Sequence, residues 1–153
     1  MEFQLSDEQK MITKLVRDFA EKEIAPTVHQ RDEEEVFDRS IVDKLGELGL
    51  MGIFFPEEYG GGGGDYLSYI LANEELARVD DSIACSYAAS VSLCAWPIFT
   101  YGTEEQKQKY LVPLAEGTKL GAFGLTEPNA GTDSAGQQSR AEKGGDHYVL
   151  NGS

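Results

Sequence analysis

Up to Gly117 nearly every segment of this chain repeats its apolar residues at helical spacing, and beyond it the runs shorten to those of strands. A change of period of this kind points to a helical unit followed by a β-rich one. The helical part opens at Ser6-Asp7-Glu8-Gln9, a capping box in which the serine hydroxyl accepts from the third backbone N–H while Gln9 reaches back to the cap. Met11, Ile12, Leu15, Val16, Phe19, Ala20 and Ile24 follow in the rhythm of one buried stripe, until Pro26 interrupts it. Asp38 caps a second amphipathic helix, Arg39 to Leu48, with Ile41, Val42, Leu45 and Leu48 inward and Gly49 ending it.

Leu50 to Phe55 is a short apolar run closed by Pro56, and Tyr59 then precedes five glycines, Gly60 to Gly64. No Gly-Lys-Ser/Thr follows them and no GxGxxG register opens a helix behind a strand, so they read as a flexible turn without a phosphate role. Helical spacing resumes over Tyr66 to Val79 and over Ser82 to about Phe99. The second of these is small or apolar on every side, as in a helix buried in a bundle, and Pro97 is expected to kink or end it. A second capping box, Thr103-Glu104-Glu105-Gln106, starts a helix reaching about Ala115, with Pro113 and Gly117 at its end.

After this point Leu120 to Leu125 is apolar and strand-like, and Gln138 to Glu142 and His147 to Leu150 flank Lys143-Gly144-Gly145-Asp146 as the arms of a hairpin would. Two or three strands without a covering layer are marginal alone, and the sequence stops at Asn151-Gly152-Ser153. The expectation is a mainly α chain with a helical domain over 1–119 and the start of an incomplete β-domain over 120–153.

Charge narrows the partners. With 27 acids against 13 bases the net charge is −14, and no local basic patch is visible, so a nucleic-acid backbone would be repelled. Anionic cofactors remain compatible, because a few local donors hold them. Cys85 and Cys94 are nine residues apart in a helical stretch, on opposite faces and without a CxxC, so both read as buried packing in a reducing compartment, with no zinc site. His29 and His147 are isolated, with no second metal ligand at helical or turn spacing. Met1-Glu2-Phe3-Gln4-Leu5 lacks the basic start and apolar run of a signal peptide, and no apolar stretch approaches the roughly 18 residues of a membrane span. A cytoplasmic protein without membrane insertion is the expectation.

The segment with most chemistry in it is Phe123 to Gly136, FGLTEPNAGTDSAG. It leaves a strand-like run, turns at Pro128-Asn129, and presents Gly131, Thr132 and Asp133 as closely spaced backbone and side-chain donors and acceptors. Such a loop can hold a polar or anionic cofactor, and it can equally be an ordinary Ser/Thr/Asx-rich turn.

Gly124 to Gly136 resembles the acyl-CoA dehydrogenase signature, Gly/Ala/Cys-aliphatic-Ser/Thr-Glu-x-x-small-Gly-Ser/Thr-Asp-x-x-small, at every specified position. The resemblance extends to Pro56…Tyr59-Gly60-Gly61, to Gly102-Thr103-Glu104-Glu105-Gln106-Lys107 before Tyr110-Leu111, and to Tyr148-Val149-Leu150-Asn151-Gly152. The wording TEPNAGTDSAGQQ is similar to that of bacterial butyryl-CoA dehydrogenases. What the resemblance implies is the N-terminal helical domain of that fold, followed by the first strands of its middle β-domain, in an enzyme that is usually a homotetramer.

The resemblance also implies FAD as cofactor, held by Phe123, Gly124, Leu125, Thr126, Gly131 and Thr132. Leu125 and Thr126 would lie near the polar edge of the isoalloxazine, and Thr132 would reach the pyrophosphate and the pantetheine arm of the acyl-CoA. Ala95 and Phe99 become candidates for the far end of the acyl pocket, where a bulky Phe99 would favour short chains. Plain core packing is the other reading of Phe99. The implied reaction is oxidation of a short-chain acyl-CoA to the trans-2-enoyl-CoA, with electrons passed to an electron-transferring flavoprotein. The catalytic glutamate of the family lies in its C-terminal domain, so no residue of this chain is assigned a catalytic role, and Glu127 reads as shaping the loop. The competing expectations are an oxygen-using flavin oxidase of the same fold, and a non-catalytic helical assembly domain or truncated piece.

Overall fold

The computed structural model describes residues 4–153 and divides the chain into two units, the residues up to Ala122 and Phe123–Ser153. Residues 1–3, the start of the segment weighed above as a signal peptide, lie outside the described residues.

The first unit is helical. Both capping boxes form: Ser6 Oγ accepts from Gln9 N at 3.1 Å and Gln9 Oε1 from Ser6 N at 3.0 Å, and Thr103 and Gln106 repeat the exchange at 3.3 and 2.8 Å. They open α1 (Asp7–Phe19) and, far along the chain, α7 (Glu104–Gln106). Between them lie α2 (Val28–Glu33), α3 (Arg39–Glu47), α4 (Tyr66–Ala77), α5 (Asp81–Ala88) and α6 (Trp96–Tyr101), and α8 (Val112–Ala115) closes the unit. Asp38 caps α3 as expected, accepting from Ser40 N.

The prolines do not break their helices. Three π-helical segments, Ala20–Ile24, Ala89–Ala95 and Lys107–Leu111, each end two residues before a proline, at Pro26, Pro97 and Pro113. In all three the residue preceding the proline donates to the carbonyl five residues back: Ala25 to Ala20, Trp96 to Val91, Val112 to Lys107. A proline ring collides with the carbonyl four residues before it and offers no N–H to it, and the wider turn lets the helix absorb both defects. Helical geometry therefore runs past Pro26 to Glu33 and past Pro97 to Tyr101, while Gly117, at φ 75°, ends the last run where the sequence placed its end.

The continuous helix Asp81–Tyr101 has 21 residues and is long and apolar enough to cross a membrane, which corrects the expectation that no stretch approaches that length. Length and composition alone are weak grounds for a span, since a core helix passes the same test. Its Ile83, Ala84, Tyr87, Val91 and Ala95 are buried in the core of the unit.

That core is centred on Val16, Ile24, Phe55, Leu76, Tyr87 and Leu111. The stripe of α1 is narrower than its spacing suggests. Ile12, Val16 and Phe19 face the core, whereas Met11 and Leu15, about 100° round the helix, are 72% and 43% exposed. Leu48 is likewise exposed, lying beyond the last turn of α3. Cys85 is exposed rather than buried, because Ile83, Ala84 and Tyr87 take the inward face of α5; Cys94 is half-buried.

The five glycines form an ordered strap, not a flexible turn. Gly61, Gly62, Gly63 and Gly64 donate in succession to the carbonyls of Pro56, Gly52, Phe55 and Ile53 at 3.1, 2.9, 2.9 and 2.8 Å. A Cβ on Gly61 would stand 2.0 Å from the Phe55 carbonyl oxygen, so only glycine admits this approach.

The second unit contains a hairpin. β1 (Arg140–Gly144) pairs antiparallel with β2 (His147–Asn151), Arg140 opposite Asn151 and Gly144 opposite His147. Gly145 takes φ 73° at the first position of the two-residue turn, as such hairpins require. Leu120 to Leu125 forms no strand, since no described segment pairs with it. The first arm begins at Arg140 instead of Gln138, because the N–H groups of Gln138 and Ser139 are already engaged by Glu127.

Candidate functional site

The signature loop is held by its own residues. Glu127 and Ala130 exchange backbone hydrogen bonds, 3.1 Å each way, and close the turn at Pro128-Asn129 that the sequence suggests. The Glu127 carboxylate then reaches forward, Oε2 accepting from Gln138 N at 2.8 Å and Oε1 from Ser139 N at 3.0 Å. These bonds, that from Gln138 foremost, hold its carboxyl below the ordinary range. Gln137 Nε2 donates to the Leu125 carbonyl, and Gly136 N to Asp133 O at 3.1 Å. Leu125 and Glu127 are thus tied to residues 137–139, and the segment between is fixed at both ends.

What the loop presents outward is polar backbone and hydroxyl. Thr126 and Thr132 are exposed, and no described residue engages either hydroxyl. Phe123 and Leu125 are about half exposed, giving the polar surface an apolar border. A Cβ added at Gly124 or Gly131 would meet nothing within 4 Å, so the chain's own packing does not require glycine at either place. Glycines at such positions leave the backbone open to close approach by a ligand, and two free hydroxyls beside them supply the donors and acceptors that a flavin dinucleotide needs. The donor set fits that group. The structure therefore brings Phe123, Gly124, Leu125, Thr126, Gly131 and Thr132 together in one loop.

Ala95 and Phe99 belong to the helical unit, about one turn apart on the long helix. Ala95 is fully buried, whereas Phe99 is half-buried in an aromatic cluster, its ring centroid 5.6 Å from that of Phe55, 6.0 Å from Tyr59 and 5.5 Å from Trp96. The polar neighbours of this ring could not be foreseen from the sequence. Lys107 Nζ lies 5.4 Å from the Phe99 centroid and 5.6 Å from that of Tyr59, and the Tyr59 hydroxyl donates to Glu104 Oε2 at 2.8 Å. Nothing local announces a contact across 45 residues; the capping box that fixes the start of α7 is the nearest signal. Among the described residues no group of three or more His, Cys, Asp or Glu could hold a metal ion.

The acyl-CoA dehydrogenase N-terminal domain family matches this chain over residues 6–118. The chain belongs to the acyl-CoA dehydrogenase family. It is 57% identical, over its whole length and 41% of that relative's, to the short-chain-specific acyl-CoA dehydrogenase of Megasphaera elsdenii. The solved butyryl-CoA dehydrogenase of the same organism superposes with a TM-score of 0.93 at 57% identity, over 99% of this chain and 41% of that one. A chain in the structure of the electron-transferring flavoprotein of Acidaminococcus fermentans gives 0.95 at 59% identity, over 99% and 40%. An acyl-CoA dehydrogenase of Bacillus anthracis complexed with FAD gives 0.90 at 42% identity, over 97% and 26%. The helical unit is thus the N-terminal domain of the acyl-CoA dehydrogenase fold. The chain spans about two-fifths of the length of the curated acyl-CoA dehydrogenases it matches first, 40% or 41% of each.

Proposed function

We propose that this chain supplies the flavin loop and part of the acyl site of an FAD-dependent dehydrogenase of short-chain acyl-CoA thioesters, which passes its electrons to an electron-transferring flavoprotein. The observation that carries the reading is the signature loop, pinned by Glu127 and Gln137, with no described residue bonded to the Thr126 or Thr132 hydroxyl. Its similarity to a butyryl-CoA dehydrogenase, to an FAD-complexed relative and to a chain in an electron-transferring flavoprotein structure supports substrate class, cofactor and acceptor in turn. A homotetramer belongs to the same reading.

FAD, when bound, supplies the acceptor for the β hydride as the α proton of the thioester leaves. Leu125 and Thr126 offer a backbone N–H and a hydroxyl to the polar edge of the flavin, where they favour the negative charge of the reduced state. Thr132, on the far side of the Pro128-Asn129 turn, offers its hydroxyl to the pyrophosphate and to the pantetheine arm. Phe99 closes the far end of the acyl site beside Ala95.

Glu127 is not the base. Its two carboxylate oxygens are spent on backbone N–H groups, and a carboxylate held below its ordinary range is a poor acceptor for a weakly acidic α proton. Its part is to hold the loop.

The test is Thr126→Ala in the intact enzyme. The flavin midpoint potential is expected to fall as the reduced state loses a partner; an unchanged potential with unchanged FAD affinity overturns the placement of Thr126.

A further inference from the structure

Phe99 is held from one side by a charge. Phe55 and Trp96 meet its ring with carbon, and Tyr59 meets it edge-on, but beside the ring stands the ammonium of Lys107, within the reach of a cation–π contact to both Phe99 and Tyr59. The arrangement is braced. Tyr59 donates its hydroxyl to Glu104 Oε2, and Gln108 Nε2 donates to Glu104 Oε1 at 3.1 Å, so one helical turn carries both the cation over the rings and the acceptor that orients one of them. Glu104 itself belongs to the Thr103–Gln106 capping box, which anchors that turn at its start. Tyr59, in turn, precedes the glycine strap and is buried, so its ring has little freedom to follow if Phe99 rotates.

We propose that Lys107 is a positioning residue for acyl-chain length: its ammonium holds the Phe99 ring by a cation–π contact, and the Tyr59–Glu104 bond fixes the second ring it touches. The proposal rests on the reading of Phe99 as the end of the acyl site, and it adds the element that makes that end rigid. An aromatic ring in contact only with other apolar groups resists a longer chain through its packing and rotamer preference alone. A cation shared between two rings is lost by the same movement, so the movement becomes less favourable.

The experiment compares kcat/KM for six-carbon and four-carbon acyl-CoA in the intact enzyme and in three variants. Lys107→Met keeps the length and apolar stem but removes the charge, and should raise the six-to-four ratio by roughly two- to fivefold, the range one such contact supports. Lys107→Arg keeps a cation over the rings and should retain the parent ratio. Phe99→Ala should raise the ratio further. A Lys107→Met ratio equal to the parent's while Phe99→Ala raises it overturns the role of Lys107 and leaves that of Phe99 standing. An unchanged ratio in Phe99→Ala overturns the acyl-end reading of Phe99, and the Lys107 proposal with it. Circular dichroism of each variant reports whether it is folded.

Discussion

Arg17 of α1 grips Glu75 of α4 with two donors, Nε to Oε2 at 2.9 Å and Nη2 to Oε1 at 2.6 Å, while Arg78 Nε adds a third bond to Oε2 at 3.1 Å. The Glu75 side chain is 6% exposed and that of Arg17 is 48% exposed, so this is a buried carboxylate served by cations from the rim. Arg78 also reaches Glu21 at 2.8 Å, which extends the network to the first π-helical segment.

Arg17, above all through its hydrogen bond, holds the Glu75 carboxyl below its ordinary value against the burial that pushes it up. A folded-state value below the unfolded one contributes stability at pH above the unfolded value, about 4.3, and that contribution fades as pH falls through the folded value. Glu75→Gln is therefore expected to lower the urea midpoint at pH 7, and the gap to the parent protein should close as pH drops below about 4. A gap constant with pH would mean that packing, not charge, is what the substitution removes.

Asp80 does two jobs with two oxygens. Oδ1 caps α5, accepting from the Ser82 and Ile83 amides at 2.9 and 3.2 Å, and Oδ2 accepts from Arg31 Nη2 at 2.7 Å, both side chains being buried. Burial raises its carboxyl, but the bonds from Ser82, Arg31 and the Ile83 amide outweigh it and the net direction is down. Asp80→Ala leaves Arg31 without its buried counter-charge and should cost about 3–5 kcal/mol in chemical denaturation. Asp80→Asn, whose side-chain oxygen can still cap the helix, should cost less.

Two glycines of the strap separate steric from conformational demand. Gly63 stands at φ 64°, and a Cβ added there would have nothing within 4 Å, so Gly63→Ala should cost about 1 kcal/mol from backbone conformation alone. Gly61→Ala drives a methyl group into the Phe55 carbonyl and should cost more, since backbone rather than a flexible side chain has to yield. Thermal or urea unfolding of the two variants ranks them, and equal losses would contradict the packed strap.

The parts of this fold that were legible in the sequence are those fixed by local chemistry. The Ser6 and Thr103 capping boxes, the Asp38 cap and the Gly117 terminus each need only a few neighbouring residues, and each is where the spacing puts it, whereas the hairpin turn is tighter than the expected Lys143–Asp146 connection, Lys143 and Gly144 pairing within β1. The continuation through Pro26 and Pro97 was not legible, because the π-helical turn before each proline depends on how the following helix packs. Nor was the exposure of Met11 and Cys85, since the width of a buried stripe is set by the neighbouring helix. In the candidate site, the Pro128-Asn129 turn was visible in advance, and so was a loop-shaping part for Glu127. Its amide partners, Gln138 and Ser139, were not, since a carboxylate bridging eleven residues leaves no periodic trace.

That bridge gives a prediction for the site. Glu127→Ala frees the Gln138 and Ser139 amides and loosens the loop, so FAD affinity should fall by about tenfold or more, as for loss of charge-assisted bonds. The thermal transition of the helical unit should stay where it was. Fluorescence titration with FAD reads the first effect and circular dichroism the second; unchanged affinity would mean the loop holds its shape without the carboxylate.

The proposed function requires that the intact protein bind a flavin that a short-chain acyl-CoA thioester reduces. The decisive measurement is the visible absorption of the intact protein with FAD, recorded without oxygen before and after addition of a four-carbon acyl-CoA. Bound flavin whose oxidised band bleaches on addition of the thioester is the expected result. Flavin that is not retained, or that is retained and stays unbleached, would refute the proposed function.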